Sequence, residues 1–442
     1  MKNRTRPFIT SQRSFIPAIP LILFILVPSL SFSQQLQARL VTSGYAWQRQ
    51  DSANQSTGHF YGYQTVQLSV AGEDLAFYTY WQGFNDFAGP LKNNPGYRIF
   101  NLYLKARNLF DLLDISAGRQ AIFAGVGNGT IDGGSATLKL FDSQVRLTGY
   151  YGALPPPGQR AELIGDQKNN FMGGEQLVVM PDDNIQFSFS HMRRNIKPES
   201  YTAYRRDSLF NPYLVEINPS AMQEEYVSGD VNIDYEDFLS FFGRYDYDAN
   251  LEKASRYQFF TRFKMSDDFG LTAEYLQRDP RLSFNSIFSV FTFSTLKEYD
   301  LGAELALDDH WQAFARYGSV AYGEGDNSNR ITVGANGPNV SASVSRNTGN
   351  GNDLSAAALN LGYPISGNEL TTSLMLSYAQ YKLSESAPRD GAFSAAFGLV
   401  YRPIQLLSLD TQVQWIQNKI YKNDMRLFIR ASYYLSQRLD IF

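Results

Sequence analysis

The chain of 442 residues contains no cysteine and only three histidines, His59, His191 and His310. The first absence removes disulfides, thiolate metal sites, cysteine nucleophiles and lipidated cysteine. The second leaves little imidazole: His310 falls in an acidic turn, His59 in a loop near the N-terminus and His191 at a strand end. No His pair has ligand spacing and no Ser–His pair converges on one face, so neither a zinc site nor an acyl hydrolase is supported. Beyond the N-terminal region no run approaches the ~18 apolar residues of a spanning helix, and 3.6-residue periodicity is missing. No enzyme, metal or cofactor is expected. The formal net charge of -4 gives no reason to expect nucleic acid as a partner.

The N-terminus supplies a compartment. Lys2, Arg4, Arg6 and Arg13 precede the apolar stretch Phe15 to Leu30, which Pro17, Pro20 and Pro28 interrupt. That order is a secretory signal, and the prolines make it a poor spanning helix, so an uncleaved anchor is the lesser alternative. Ser31-Phe32-Ser33 is a small-x-small site. Residues 1–33 are therefore expected to be a cleaved signal and 34–442 a single barrel domain.

What the chain has in quantity is aromatic residues: 28 Tyr and 32 Phe against a hydrophobic share of only 43%. From Gln35 onward the hydrophobic period is 2. In "DFGLTAEYLQRD" Phe269, Leu271, Ala273 and Tyr275 share one face, while Thr272 and Glu274 lie off it. Trp311, Ala313, Ala315 and Tyr317 oppose Gln312 and Arg316; Leu427, Ile429, Ala431 and Tyr433 repeat the pattern. Connections alternate between tight acidic turns ("PDDN", "YEDF", "SDDF", "LDDH") and longer polar segments, near 86–96, 121–132, 153–169, 195–221, 280–293 and 322–351.

An all-β, up-and-down antiparallel transmembrane barrel has this connectivity, with short turns on one side of an outer membrane and long loops on the other. The pattern predicts about 20 strands, with 18 as the other even count, and makes a soluble sandwich or propeller the weaker reading. Trp47, Trp81, Trp311 and Trp415 fall near strand ends, where interfacial girdles are expected. The last clean alternation ends near Leu435, which suggests a short tail or a bulged final strand before Phe442.

The face opposite the apolar one carries Lys105, Arg107, Arg146, Arg244, Arg262, Lys264, Arg316, Arg426 and Arg430, mixed with Asp246, Glu274, Asp300, Glu304 and Asp410. Charges on a lipid-facing wall cost about 2–4 kcal/mol at the midplane, so these are expected to line a wet lumen. They either brace the wall as ion pairs or set a weak preference for anionic or polyhydroxylated solutes. Asp326-Asn327-Ser328-Asn329 offers oxygen ligands of the kind calcium takes, but reads better as a solvated loop.

One stretch resists assignment. "AGRQAIFAGVGNGTIDGG" has the glycines of a phosphate loop, including Gly125, Gly127 and Gly129, yet no Gly-Lys-Ser/Thr and no helix follows. In a barrel it either folds back into the lumen and narrows it, or stands as an external loop with turn glycines. From Ile115 to Gly152 the sequence resembles the alginate-export family of porin-type barrels, through Gly118, Arg119, Gln120, Asp132 and Gly133. The resemblance implies a monomeric barrel with an Arg-rich lumen passing a polyanion or a small organic solute. Arg119 shares the parity of apolar Ile115 and Ala117, which places it at a rim or beyond a bulge.

Two functions follow. The first is a passive outer-membrane porin for small polar, anionic or sugar-like solutes, with membrane lipid as its surroundings. The second is a structural barrel that sheathes or anchors a partner protein. A receptor with a plug ahead of the barrel is disfavoured, because strand pattern begins within a few residues of Gln35.

Overall fold

The computed structural model describes residues 34–89, 96–279, 295–323, 325–349, 353–367, 369–382 and 386–439, so the signal segment expected at 1–33 lies outside the described residues. Each strand of the wall pairs antiparallel with its neighbour in sequence. The first, Gln34–Asp51, pairs both with Ser56–Ala71 and with the last, Tyr421–Leu439. That second ladder closes the sheet. The barrel has 22 strands rather than the 20 or 18 expected.

The miscount has a local cause. Segment 322–351, expected as one polar loop, contains the strands Asp326–Asn336 and Val340–Gly349, so Asp326-Asn327-Ser328-Asn329, read as a solvated loop, is wall. Their Asn, Ser, Thr and Gly residues resemble loop composition, but Ile331, Val333 and Val344 keep the alternation. Tyr201–Arg206 and Pro212–Ile217 form a separate hairpin within the long connection at 197–221, and the wall resumes by pairing Ile185–Ile196 with Met222–Tyr235. The final strand continues to Leu439, beyond the end expected near Leu435.

The registers sort side chains onto two faces. Ser188, Ser190, Ser228, Asp246, Asp424 and Ser432 are buried and share one parity. Leu301, Phe397, Phe189, Ile331 and Val344 are half or more exposed and share the other. Side chains on the concave side of a closed wall converge and bury one another, so the polar parity faces the lumen. Trp47 is on that parity, opposite Arg426 and His59, and does not belong to an outer girdle. His59 is likewise a strand residue, not a loop one. With 22 strands spaced about 4.8 Å apart and tilted about 40°, the backbone ring is roughly 40 Å across.

The seam between the first and last strands is braced by charge. Asp424, almost completely buried, accepts from Arg49 Nε at 3.1 Å and from Arg426 Nη2 at 2.7 Å. Closure of this kind predicts a β-type circular dichroism spectrum and faster migration of unheated protein on detergent gels. Removing Tyr421–Leu439 should abolish the heat-dependent shift; retention of the shift would place the seam elsewhere.

Candidate functional site

The glycine-rich stretch is the point at which the wall enters its own lumen. Leu113–Ala124 and Gly127–Leu140 are paired along their whole length, and only Gly125 and Val126 turn between them. The neighbouring ladders stop earlier, at Leu102 opposite Arg119 and at Asp132 opposite Ala153. Past those pairs the hairpin leaves the wall. It lies over the inward face of Val145–Ala153, Phe171–Asp182, Ile185–Ile196 and Met222–Tyr235. The expected loop at 121–132 is therefore a hairpin, and it lies on the lumen side.

Its docked face is apolar. Ile122, Ala124, Val126 and Ile131 are buried against Tyr150, Met172, Met192 and Tyr226. Each buried aliphatic side chain is worth about 1.5–3 kcal/mol, sufficient to hold a short hairpin against a wet surface. The Val126 amide donates to Ser190 Oγ at 2.9 Å. Gly125, at φ 61, takes the first central position of a two-residue turn, and a Cβ there would collide with the Ser190 hydroxyl. Gly127 passes the Tyr150 hydroxyl at similarly close range, and Gly129 passes the Met172 sulfur less tightly. Phe123, on the opposite face, is 80% exposed toward the open lumen.

The bend is made at Gly118 and bolted by Arg119. At φ 127, Gly118 brings the backbone against the carbonyl of Leu102, where no side chain fits; Gly133 crosses the Tyr151–Gly152 backbone equally closely. Arg119, expected at a rim or beyond a bulge, is buried at the root of the hairpin. It donates to both oxygens of Asp132 at 2.6 Å and to the carbonyls of Ile99, Gln159, Arg160 and Glu162. The amide of Gln120 contacts Ser116 and Gly133. Residues 154–170 are thus tied across the base of the hairpin. Asp166 continues the tie to Lys197 at 3.1 Å, and hydrogen bonds from Asn169, followed by Lys197, hold its carboxyl below the ordinary carboxylate range.

The remaining cations of the sequence reading lie on the inward parity, spread round the wall rather than gathered in one ring. Arg262 and Arg316 reach Glu304 at 3.1 and 3.6 Å. They line a recess of about 330 Å³ with Glu274 and Asp300. Arg244 pairs with Asp246, Arg430 with Asp410, Arg426 with Asp424, Lys105 with Asp114 and Lys264 with Asp267. Only Arg107 and Arg146 of that set have no carboxylate within ion-pair distance among the described residues: Arg107 donates to the Tyr78 hydroxyl, and Arg146 approaches Met180 Sδ at 3.6 Å.

Sequence reasoning missed the aromatic content of this face. Tyr45, Trp47, His59, Tyr61, Tyr63, Tyr78, Phe84 and Tyr103 all have lumen parity. The signal was available, since Tyr61 and Tyr63 alternate in step with Thr65 and Gln67.

No protein-family model and no curated protein matches the chain, so the likeness to the alginate-export family rests on Ile115–Gly152 alone. Among solved structures, the P pilus usher translocation pore is 9% identical at TM-score 0.48, covering 90% of this chain and 99% of its own. OccAB3 of Acinetobacter baumannii is 8% identical at 0.41, with 91% and 99% covered. OccK2 of Pseudomonas aeruginosa, in complex with glucuronate, is 8% identical at 0.41, with 91% and 98% covered. At these scores the likeness carries no functional information.

Arg119→Leu should leave Asp132 buried without its cation, a loss of about 3–5 kcal/mol. Amide exchange should then accelerate across 119–132 and 154–163, and the Arg119→Leu/Asp132→Leu double variant should recover part of the protection. Unchanged exchange in the single variant would remove Arg119 as the bolt.

Proposed function

We propose that the mature chain is an outer-membrane channel of a Gram-negative bacterium, through which small polar solutes, anionic and sugar-like ones among them, diffuse passively. The observation that carries this reading is the two-sided wall: a ring without an edge, apolar outside and polar within. Hydrocarbon offers no partner to a free backbone N–H, so a sheet lodged in it must close. An apolar exterior has no purpose in water, and a charged interior has none in a dry core.

The hairpin 119–132 is the constriction in this reading. A ring roughly 40 Å across would be a coarse hole if empty, and 22-stranded transporters of outer membranes hold a plug in theirs. Here the chain supplies its own partial filling. Most lumen cations are neutralised by neighbours, so their first role is bracing, and a preference for anions falls chiefly to Arg107 and Arg146. The sheath or anchor for a partner protein is the reading this one displaces, since a sheath has no need of a docked internal hairpin.

Two measurements test the proposal. Leu301→Arg on the outer face should destabilise the protein in lipid vesicles by about 2–4 kcal/mol in urea titrations, against little for Thr332→Arg on the inner face. Equal costs would refute the membrane orientation. In planar bilayers the purified protein alone should conduct. Replacing residues 121–130 by Asn-Gly should raise single-channel conductance, and Arg107→Gln with Arg146→Gln should shift reversal potential toward cations. A silent wild-type protein would favour the sheath; unchanged selectivity would leave the arginines purely structural.

A further inference from the structure

Resting on that channel reading, we infer that the lumen wall formed by Gln34–Asp51, Ser56–Ala71, Leu75–Asp86 and Tyr97–Leu109 is a binding track for polyhydroxylated ring solutes, that is, linear oligosaccharides. The rings follow one another down the wall at nearly constant intervals. Trp47 and His59 are 4.9 Å apart between centroids, His59 and Tyr61 5.7 Å, Tyr61 and Tyr63 6.5 Å, and Tyr63 and Phe84 6.2 Å. Nearer the tight-turn end, Tyr80 meets Phe100 at 4.6 Å and Tyr78 meets Tyr103 at 5.0 Å. The series runs obliquely from the end bearing the long loops to the end bearing the short turns.

Nothing in the barrel requires these rings. A wall is braced by ion pairs or by small residues equally well: about a quarter of the way round the ring, Ser343, Ser345, Ala356, Ala358, Ser377 and Ala379 occupy the same parity. An aromatic face left partly exposed to a wet lumen forgoes some burial, and recovers it when a flat, partly apolar ligand lies on it.

The chemistry between the rings selects the ligand. Ser43, Thr65, Gln67, Gln82 and Asn101 are interleaved with them, and all are neutral donors and acceptors. Of the charged groups nearby, Arg49 meets Asp424 while lying 4.3 Å over Trp47, His59 lies 3.3 Å from Asp86, and the cations Arg39 and Arg107 rest against Tyr434 and Tyr78. Arg98 lies 5.0 Å over Phe84. A pyranose ring presents an apolar C–H face edged by hydroxyls, which matches ring faces flanked by amides and hydroxyls. A planar aromatic acid would use the rings but leave the amides unanswered. Many equal weak sites also suit conduction, because a solute held at each step must still leave.

The test uses the full mature protein in planar bilayers with maltotriose, trigalacturonate and benzoate as probes. Maltotriose should interrupt the ion current at millimolar concentration. Tyr61→Ala/Tyr63→Ala/Phe84→Ala should raise its half-blocking concentration at least tenfold, and Tyr63→Ala alone should raise it less. Ser343→Ala/Ser377→Ala, on the lumen face away from the track, should leave it unchanged, and heat-shifted gel mobility would verify that each variant closes. A conducting wild type blocked by neither sugar, or blocked equally in the triple variant, overturns the track while the channel stands. Block by benzoate without block by sugars overturns the sugar assignment, and block by trigalacturonate alone overturns its neutral character. If the wild type does not conduct, the channel reading fails, and calorimetry of maltotriose into detergent-solubilised protein decides the track: heat lost in Tyr63→Ala supports it, and absence of heat in the wild type overturns it.

Discussion

Backbone pairing between Gln34–Asp51 and Tyr421–Leu439 leaves the sheet without an edge, and the other features of the molecule follow from that closure. A closed ladder satisfies its own N–H and C=O groups, so the exterior is free to be apolar over its whole height. It also forces each strand to divide its residues between lumen and exterior at a period of 2, which fixes the face of every charge and every ring. Tolerance to substitution should differ sharply between neighbouring residues for that reason, whatever their position in sequence.

Inside the ring the dominant consideration is charge. A lumen carrying Arg244, Arg262, Arg316, Arg426 and Arg430 would repel itself if those groups were alone. Asp246, Glu304, Asp424 and Asp410 sit on the same strand or within two strands of them and offset them. The hairpin obeys another rule: it docks by apolar contact on a face that is otherwise polar, with a single buried ion pair, Arg119–Asp132, at its root. Salt should therefore act differently on the two, loosening exposed pairs such as Arg330–Asp300 before the shielded root.

Much of this was legible beforehand. The faces of Leu271, Tyr275, Arg262 and Arg430 could be assigned from alternation alone, because a slip of one residue would expose a charge to the apolar side. Arg119 announced its unusual place by breaking parity. Strand number was harder to read: Asp326–Asn336 and Val340–Gly349 are built from residues that turns also favour, and alternation in so few apolar side chains is faint. The hairpin was obscured for a related reason. Glycine marks both flexible loops and places where two backbones nearly touch, and the partner surface at Ser190 and Met172 is over 40 residues distant in the chain. The lumenal rings were overlooked because aromatics in barrels are ordinarily sought at the interfaces.

The seam has a consequence for the order of assembly. Arg49 and Asp424 are 375 residues apart, and joining the ends of so long a loop costs about 5 kcal/mol of chain entropy. Every other junction of the wall joins strands adjacent in the ladder, most across short turns, and can zip progressively from either side. On that entropic ground closure comes last, and the two strands that perform it, 18 and 19 residues long, are the longest among the described residues. The hairpin and its docking partners Tyr150, Met172, Met192 and Tyr226 all lie between Leu113 and Tyr235. An open, curling sheet can therefore seat its internal hairpin before the strands beyond Tyr235 have paired, and the ring then shuts around contents already in place.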